Sequence, residues 1–177
     1  MIRSAIHRLS ANGVHEKIGY VTFKDTAQGL FIEPNIEGLS VGEHGFHVHA
    51  IGDIEPKNGK AGGSAGTHYD PEDTGRHCGP YQNGHKGDLP VLVVDNDGVA
   101  RTPMIAPRLK LNEIVGRAII VHSGGDNYRD KPLKNGGGKS RIAGGVITND
   151  CPYCKAKTMK NIALLTLIGY GLYRVGK

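Results

Sequence analysis

The sequence predicts an all-β domain of short strands and long functional loops. Glycine supplies 27 of the 177 residues, while Phe supplies 3 and Trp none. That much glycine belongs to a chain of many turns and short strands. Apolar and polar side chains alternate in several short runs, the period of a strand with one face in a core. Between the runs lie polar, glycine-rich connections, and loops so long inside a compact domain usually carry function.

Taken in order, residues 19–23 (GYVTF) and 28–31 (QGLF) read as a hairpin with residues 24–27 as its turn. Residues 42–50 (GEHGFHVHA) alternate again. Phe46 and Val48 face one side there, and His47 and His49 the other. Residues 90–94 (PVLVV) and 99–101 flank Asp95-Asn96-Asp97-Gly98, a strong turn signal. Residues 119–122 and 142–147 complete the strands, and loops are expected over 51–88, 101–116 and 123–141. The domain spans residues 1–148. After it the composition changes: 149–177 form a C-terminal extension with CPYC and an apolar stretch, IALLTLIGYGLYRV, for which a helix is one form.

One domain of this length buries a core without obligatory disulfides. The formal charge is +5, but Lys and Arg are scattered with no basic block, which argues against nucleic acid. A mildly cationic surface suits a small anionic substrate or an anionic membrane. The first residues lack an apolar run fit for an export signal. Three cysteines, Cys78, Cys151 and Cys154, do not make a disulfide framework. Both features predict a cytoplasmic protein, with the periplasm as the alternative.

Histidine is the most informative residue type. His47, His49, His68, His77, His85 and His122, with Asp88, form a set of metal-donor residues too numerous for one tetrahedral ion. His47 and His49, two apart on a strand, share a face, and His122 ends another apolar run. His68, His77, His85 and Asp88 stand on one loop, a closed set suited to zinc. If His68 serves both ions, each has four donors: His47, His49, His68 and His122 on one, His68, His77, His85 and Asp88 on the other. Four nitrogens without sulfur favour Cu(II) on the first. His7, His15 and His44 read as ordinary surface or packed residues.

These residues sit in stretches that resemble the copper/zinc superoxide dismutases, in particular their bacterial branch: GEHGFHVHA (42–50), GTHYDPEDTGRH (66–77), GHKGDLPVLVVDNDG (84–98), GRAIIVHSGGDN (116–127) and SRIAGGVI (140–147). The resemblance covers roughly residues 13–148. It implies an eight-stranded Greek-key β barrel, an immunoglobulin-like sandwich of which this family is itself a standard example, with a metal-binding and an electrostatic loop. It also implies that copper binds His47, His49, His68 and His122, and zinc His68, His77, His85 and Asp88. Asp126 matches the carboxylate linking a copper histidine to a zinc histidine. Arg141 matches the arginine that positions the anion, with Lys134 and Lys139 nearby, and His44 matches a framework histidine. The implied reaction converts superoxide to oxygen and hydrogen peroxide, with Arg141 and His68 as the catalytic side chains. The alternative is a non-catalytic copper/zinc-binding module on the same barrel; the complete donor set with Asp126 and Arg141 favours the enzyme.

The sequence departs from the family at its disulfide. One cysteine position falls at Gly144, and its partner at Ile54 or Gly62 according to branch, so both ends are missing. Losing such a bridge costs about 2–5 kcal/mol in small domains, and metals, an oligomer interface or the tail must offset it. Cys78 reads as a free thiol, and Cys151 with Cys154 as an incidental pair rather than a redox centre. A homodimer is expected, and the apolar residues 161–175 with their basic flanks suit contact with an anionic membrane.

Overall fold

The computed structural model describes residues 1–149. The pair Cys151/Cys154 and residues 161–175 lie outside the described residues. Ten strands follow one another: β1 (Ile2–Ser10), β2 (Gly13–Thr26), β3 (Gly29–Glu37), β4 (Gly42–His44), β5 (Phe46–His49), β6 (Leu92–Val94), β7 (Val99–Ala100), β8 (Met104–Ala106), β9 (Ala118–His122) and β10 (Arg141–Val146). They form a curled antiparallel sheet in the order β5-β9-β10-β1-β2-β3-β7, with β8 also on β3 and β4 paired to β6. The first strand thus lies beside the last, a Greek-key feature. The eight expected strands are recovered by counting β4 with β5, and β7 with β8, as interrupted strands. Gly45 makes the first break. Pro34, which has no N–H to donate, lies on β3 between the segments paired with β8 (30–32) and β7 (36–37) and accompanies the second.

The core fills the inside of this curl. Val21 and Phe23 of β2, Leu30, Ile32 and Ile36 of β3, Phe46 and Val48 of β5, and Ile119 and Val121 of β9 are all fully buried, each contributing about 1.5–3 kcal/mol. The expected alternation in β5 is real, but its histidine face is buried too. Loop residues rather than solvent cover it.

Three sequence expectations change. The hairpin turn is tighter than residues 24–27, because Lys24, Asp25 and Thr26 still pair with Phe31, Leu30 and Gly29. β8 falls inside the expected connection 101–116. β1 lies outside the expected strands, because its inward positions include Ser4, which breaks the apolar alternation; the hydroxyl is satisfied by donating to the Val146 carbonyl (2.9 Å).

The missing disulfide leaves a filled space. Leu9, Ala65, Ala118 and Ile120 form a second buried cluster with Val14, Ile54 and Ala61 against it. A Cβ on Gly144 would lie 2.7 Å from Ile120 Cδ1 and 3.2 Å from Leu9 Cδ1. Apolar packing stands where the covalent tie would be.

Candidate metal centre

Strand pairing brings the first donors together. β5 pairs with β9 so that His47 lies opposite Ile120 and His49 opposite Ala118, while the His122 N–H donates to the Gly45 carbonyl (2.8 Å). Gly45 leaves room there: a Cβ would sit 3.1 Å from His47 Cε1 and 3.5 Å from His122 Cβ. The donor atoms of His47, His49, His68 and His122 all lie within 4.8 Å of one another.

Each strand imidazole has one nitrogen engaged and one free. His47 Nε2 meets Asp126 Oδ2 (2.7 Å), His49 Nδ1 meets the Gly66 carbonyl (3.0 Å), and His122 Nδ1 meets the Lys139 carbonyl (3.4 Å). Those acceptors take the ring protons. The remaining atoms, His47 Nδ1, His49 Nε2 and His122 Nε2, are buried without a hydrogen-bond partner. Buried lone pairs left unmatched cost about 1–3 kcal/mol each, so a convergent trio fits a cation. Burial foremost, then the neighbouring imidazoles, lower His68 to about 3 and His122 to about 2, and hold His49 well below its ordinary value. All three are therefore neutral at neutral pH, the form in which imidazole binds a metal.

The second set hangs on the loop after β5. His68 Nδ1 meets Asp88 Oδ1 at 2.8 Å, and His77 Nδ1 meets Asp88 Oδ2 at 2.9 Å. His85 Nδ1 is 3.5 Å from Asp88 Oδ1, and its ring lies 5.3 Å from that of His68. The tightest grouping on this side is His47, His68, His77 and Asp88. It contains His47 in place of the expected His85, which stands at its edge. His77 Nδ1, His85 Nδ1 and Asp88 Oδ2 are nonetheless all buried without a hydrogen-bond partner, the approach of His77 Nδ1 to Asp88 Oδ2 being a charge contact without hydrogen-bond geometry, so all three are free to face a cation. His68 belongs to both groups, stacked on His47 at 4.0 Å.

Asp126 ties the halves. Its Oδ2 takes His47 Nε2 and its Oδ1 takes His77 Nε2, both at 2.7 Å. Burial opposes ionisation of Asp126 and Asp88, but the imidazole hydrogen bonds outweigh it and hold both carboxylates far below their ordinary value. Burial likewise opposes charging His77, yet its bonds to Asp126 and Asp88 raise it to about 9. His44 is not a donor: its Nδ1 faces the His122 carbonyl (2.6 Å) and its Nε2 the Ser40 carbonyl (2.8 Å), bracing both strands.

Arg141 opens β10, opposite His122 in register. Its guanidinium donates to the carbonyls of Gly62 and Gly66. A cavity of about 1200 Å³ reaches from solvent to His49, His68, His122 and Arg141, and Lys57, Lys60, Lys134 and Lys139 line it with no acidic side chain among the described residues. Lys134 and Lys139 were expected there. Lys57 and Lys60 were not, because nothing in their local sequence marks them; two reciprocal backbone hydrogen bonds (3.1 Å each) set them side by side.

With this geometry in view, relatives are informative. The family profile for copper/zinc superoxide dismutase (SODC) matches residues 17–147. A superoxide dismutase [Cu-Zn] of Escherichia coli (strain K12) is 52% identical over 144 residues, 78% of this chain and 83% of that protein. Among solved structures, the Cu/Zn superoxide dismutase from Brucella abortus superposes with a TM-score of 0.79 at 41% identity, covering 82% of this chain and 97% of its own. The monomeric enzyme from Salmonella enterica gives 0.74 at 47% identity, covering 82% and 98%. The chain belongs to the copper/zinc superoxide dismutase family, on its bacterial side.

Proposed function

We propose that the chain is a superoxide dismutase, and one observation carries the reading. Partnerless imidazole nitrogens converge beside Arg141 at the floor of an acid-free cationic cavity. Copper fits His47 Nδ1, His49 Nε2, His122 Nε2 and the shared His68. Zinc fits His68, His77, His85 and Asp88; the free nitrogen of His85 recommends it over His47, whose other nitrogen is held by Asp126. When bound, copper supplies the one-electron redox couple and zinc a fixed positive charge beside it.

The chain's own residues do the rest. Lys57, Lys60, Lys134 and Lys139 draw a small anion inward, a steering for which this enzyme class is a standard example. Arg141, fixed by two carbonyls, orients it against His122 and His68. His68 holds its Nδ1 on Asp88, so any proton it carries toward the substrate resides on Nε2. Two superoxide anions and two protons yield oxygen and hydrogen peroxide. Metal analysis with a superoxide-consumption assay on wild type and His122→Ala tests the reading. A copper-loaded wild type without activity would leave the non-catalytic metal module in its place.

Two copies form the unit in this reading, supported by the exposed apolar Val41 and Val93 on and beside the β4–β6 pair; a monomer mass by light scattering would overturn it. The family's disulfide positions hold Ile54 or Gly62 and Gly144, none of them a cysteine, which suits a reducing cytoplasm. Residues 161–175 are assigned contact with an anionic membrane, on composition alone. Fractionating cells that express the chain with and without residues 155–177 reads both assignments.

A further inference from the structure

The segment after β9 touches the zinc-side loop at more than Asp126. Its residues alternate like a strand: Asp126, Tyr128 and Asp130 are half-buried, while Asn127 and Arg129 are exposed. Asp130 Oδ2 accepts the backbone N–H of His77 (2.9 Å), and its Oδ1 accepts that of Asn135 (3.2 Å). Two carboxylates four positions apart therefore hold one histidine at both ends. Asp126 takes the tip of the ring and Asp130 the main chain. Tyr128 wedges between them. Its N–H donates to Asp126 Oδ1 (2.7 Å) and its phenol oxygen accepts the Val91 N–H (3.0 Å). Its ring lies so close to Gly79 that a Cβ there would come within 2.6 Å of Tyr128 Cγ. Tyr128 does this at φ 57°, a left-handed conformation that is costly for an aromatic residue and persists only where the surroundings impose it.

We infer that Tyr128 and Asp130 are positioning residues for His77, setting its backbone so that Nδ1 is presented toward Asp88. The inference rests on His77 and Asp88 being zinc ligands. A metal tolerates only small displacements of its donors, and the loop that carries His77 has no strand or helix over residues 76–88 to hold it. With ring tip and main-chain N–H both fixed, rotation of the imidazole is arrested and one nitrogen remains to face Asp88. Val91 and Gly79 bracket the ligand loop, so the phenol sets the spacing between its two ends. Removing partners of ligands in this way typically lowers metal affinity about 10–100-fold.

The test uses the full, metal-loaded chain. Zinc release to a colorimetric chelator, copper release to a copper chelator, and the thermal midpoint of the chelator-stripped protein are measured for each variant. Asp130→Asn keeps one of two acceptor contacts and Asp130→Ala keeps none. Zinc release is expected to quicken about tenfold in the first and more in the second, with copper release changed less than about twofold and the stripped midpoint near wild type. Tyr128→Phe, losing only the Val91 contact, is expected to fall between wild type and Asp130→Ala. Gly79→Ala, which drives a methyl into the Tyr128 ring, reproduces the effect from the opposite loop. The cobalt-substituted zinc site reports the same distortion in its visible spectrum. Unchanged zinc release in Asp130→Ala and Gly79→Ala overturns the inference. So does release of both metals rising in step with a falling stripped midpoint, which is mere loosening. If His77→Ala retains zinc as tightly as wild type, the ligand assignment itself is wrong, a failure distinct from either.

Discussion

Arg141 illustrates how much one side chain does here. It is the cation nearest the donor cluster, and its fork also anchors the carbonyls of Gly62 and Gly66. Gly66 in turn accepts the ring N–H of His49. Charge and geometry are therefore separable by substitution. Arg141→Ala is expected to lower kcat/KM about 10–100-fold and flatten its dependence on salt. Arg141→Lys keeps the charge but cannot form the fork, so it should retain the salt dependence while losing less rate. Stopped-flow or pulse-radiolysis rates across ionic strength check this; identical salt slopes in Ala and wild type would contradict it. The imidazoles allow a second prediction, on chelator-stripped protein. His49, His68 and His122 are lowered from 6.5 by burial first and by their neighbours. Below pH 6.5 the unfolded chain therefore binds protons that the folded chain refuses, and stability falls as pH falls. Lowered carboxylates at Asp88 and Asp126 add to that loss near and below their ordinary value of 3.8. His77, raised to about 9, stabilises fully below 6.5, and that contribution is lost as pH rises through about 9. Three imidazoles oppose one, so the stability curve of stripped protein should peak near pH 6.5 and fall more steeply on the acid side. Urea unfolding from pH 4 to 9 reads it, and a steeper alkaline limb would sink it.

At the scale of elements, the loop between β5 and β6 is held by packing in place of a covalent bond. Ile54 sits against Leu9, Ala65, Ala118 and Ile120, and a Cβ on Gly62 would come within 3.1 Å of Leu9 Cδ1. Leu9→Ala should therefore cost about 2–5 kcal/mol and speed amide exchange over residues 57–66 more than in β2 or β3. Uniform exchange across the barrel would show that the cluster supports the fold without specially supporting the loop. The same elements show what could be read beforehand. β5 was legible because a period of two placed His47 and His49 on one face, and β6–β7 because the turn at 95–98 declares itself. β1 was not, since Ser4 occupies an inward position that only the Val146 carbonyl makes acceptable. That the histidines and Asp88 gather in one place was legible by residue type alone, since clustered histidines have few other uses. Lys57, Lys60, Tyr128 and Asp130 were not, because ordinary loop residues acquire roles only when distant segments meet.

For the whole molecule, the centre is both reaction site and keystone. Six imidazoles and two carboxylates meet in an interior where several donor atoms have no partner, and the loop 66–88 contributes four of the proposed ligands without regular strands of its own. Ions that bind only the folded chain stabilise it by about 4 kcal/mol each at a thousand times their dissociation constant. Two such ions contribute about 8 kcal/mol, and for a domain of this size that corresponds to roughly 15–30 °C in Tm. Stripping both metals should therefore lower the thermal midpoint by at least about 15 °C. The two ions should not contribute alike. His47, His49 and His122 stand on strands whose pairing fixes them whether or not a cation is present, whereas His77, His85 and Asp88 depend on a loop held by scattered contacts, among them the Val48–Gly87 backbone bond, the Lys86–Glu113 pair and those of Arg108, Asp126, Tyr128 and Asp130. Zinc added alone to stripped protein is thus expected to recover most of the lost midpoint, and copper added afterwards to recover activity with a smaller thermal gain. Differential scanning calorimetry across that order of addition measures it. A metal-free midpoint within a few degrees of the loaded protein would show that the apolar cluster around Leu9 has replaced the disulfide unaided.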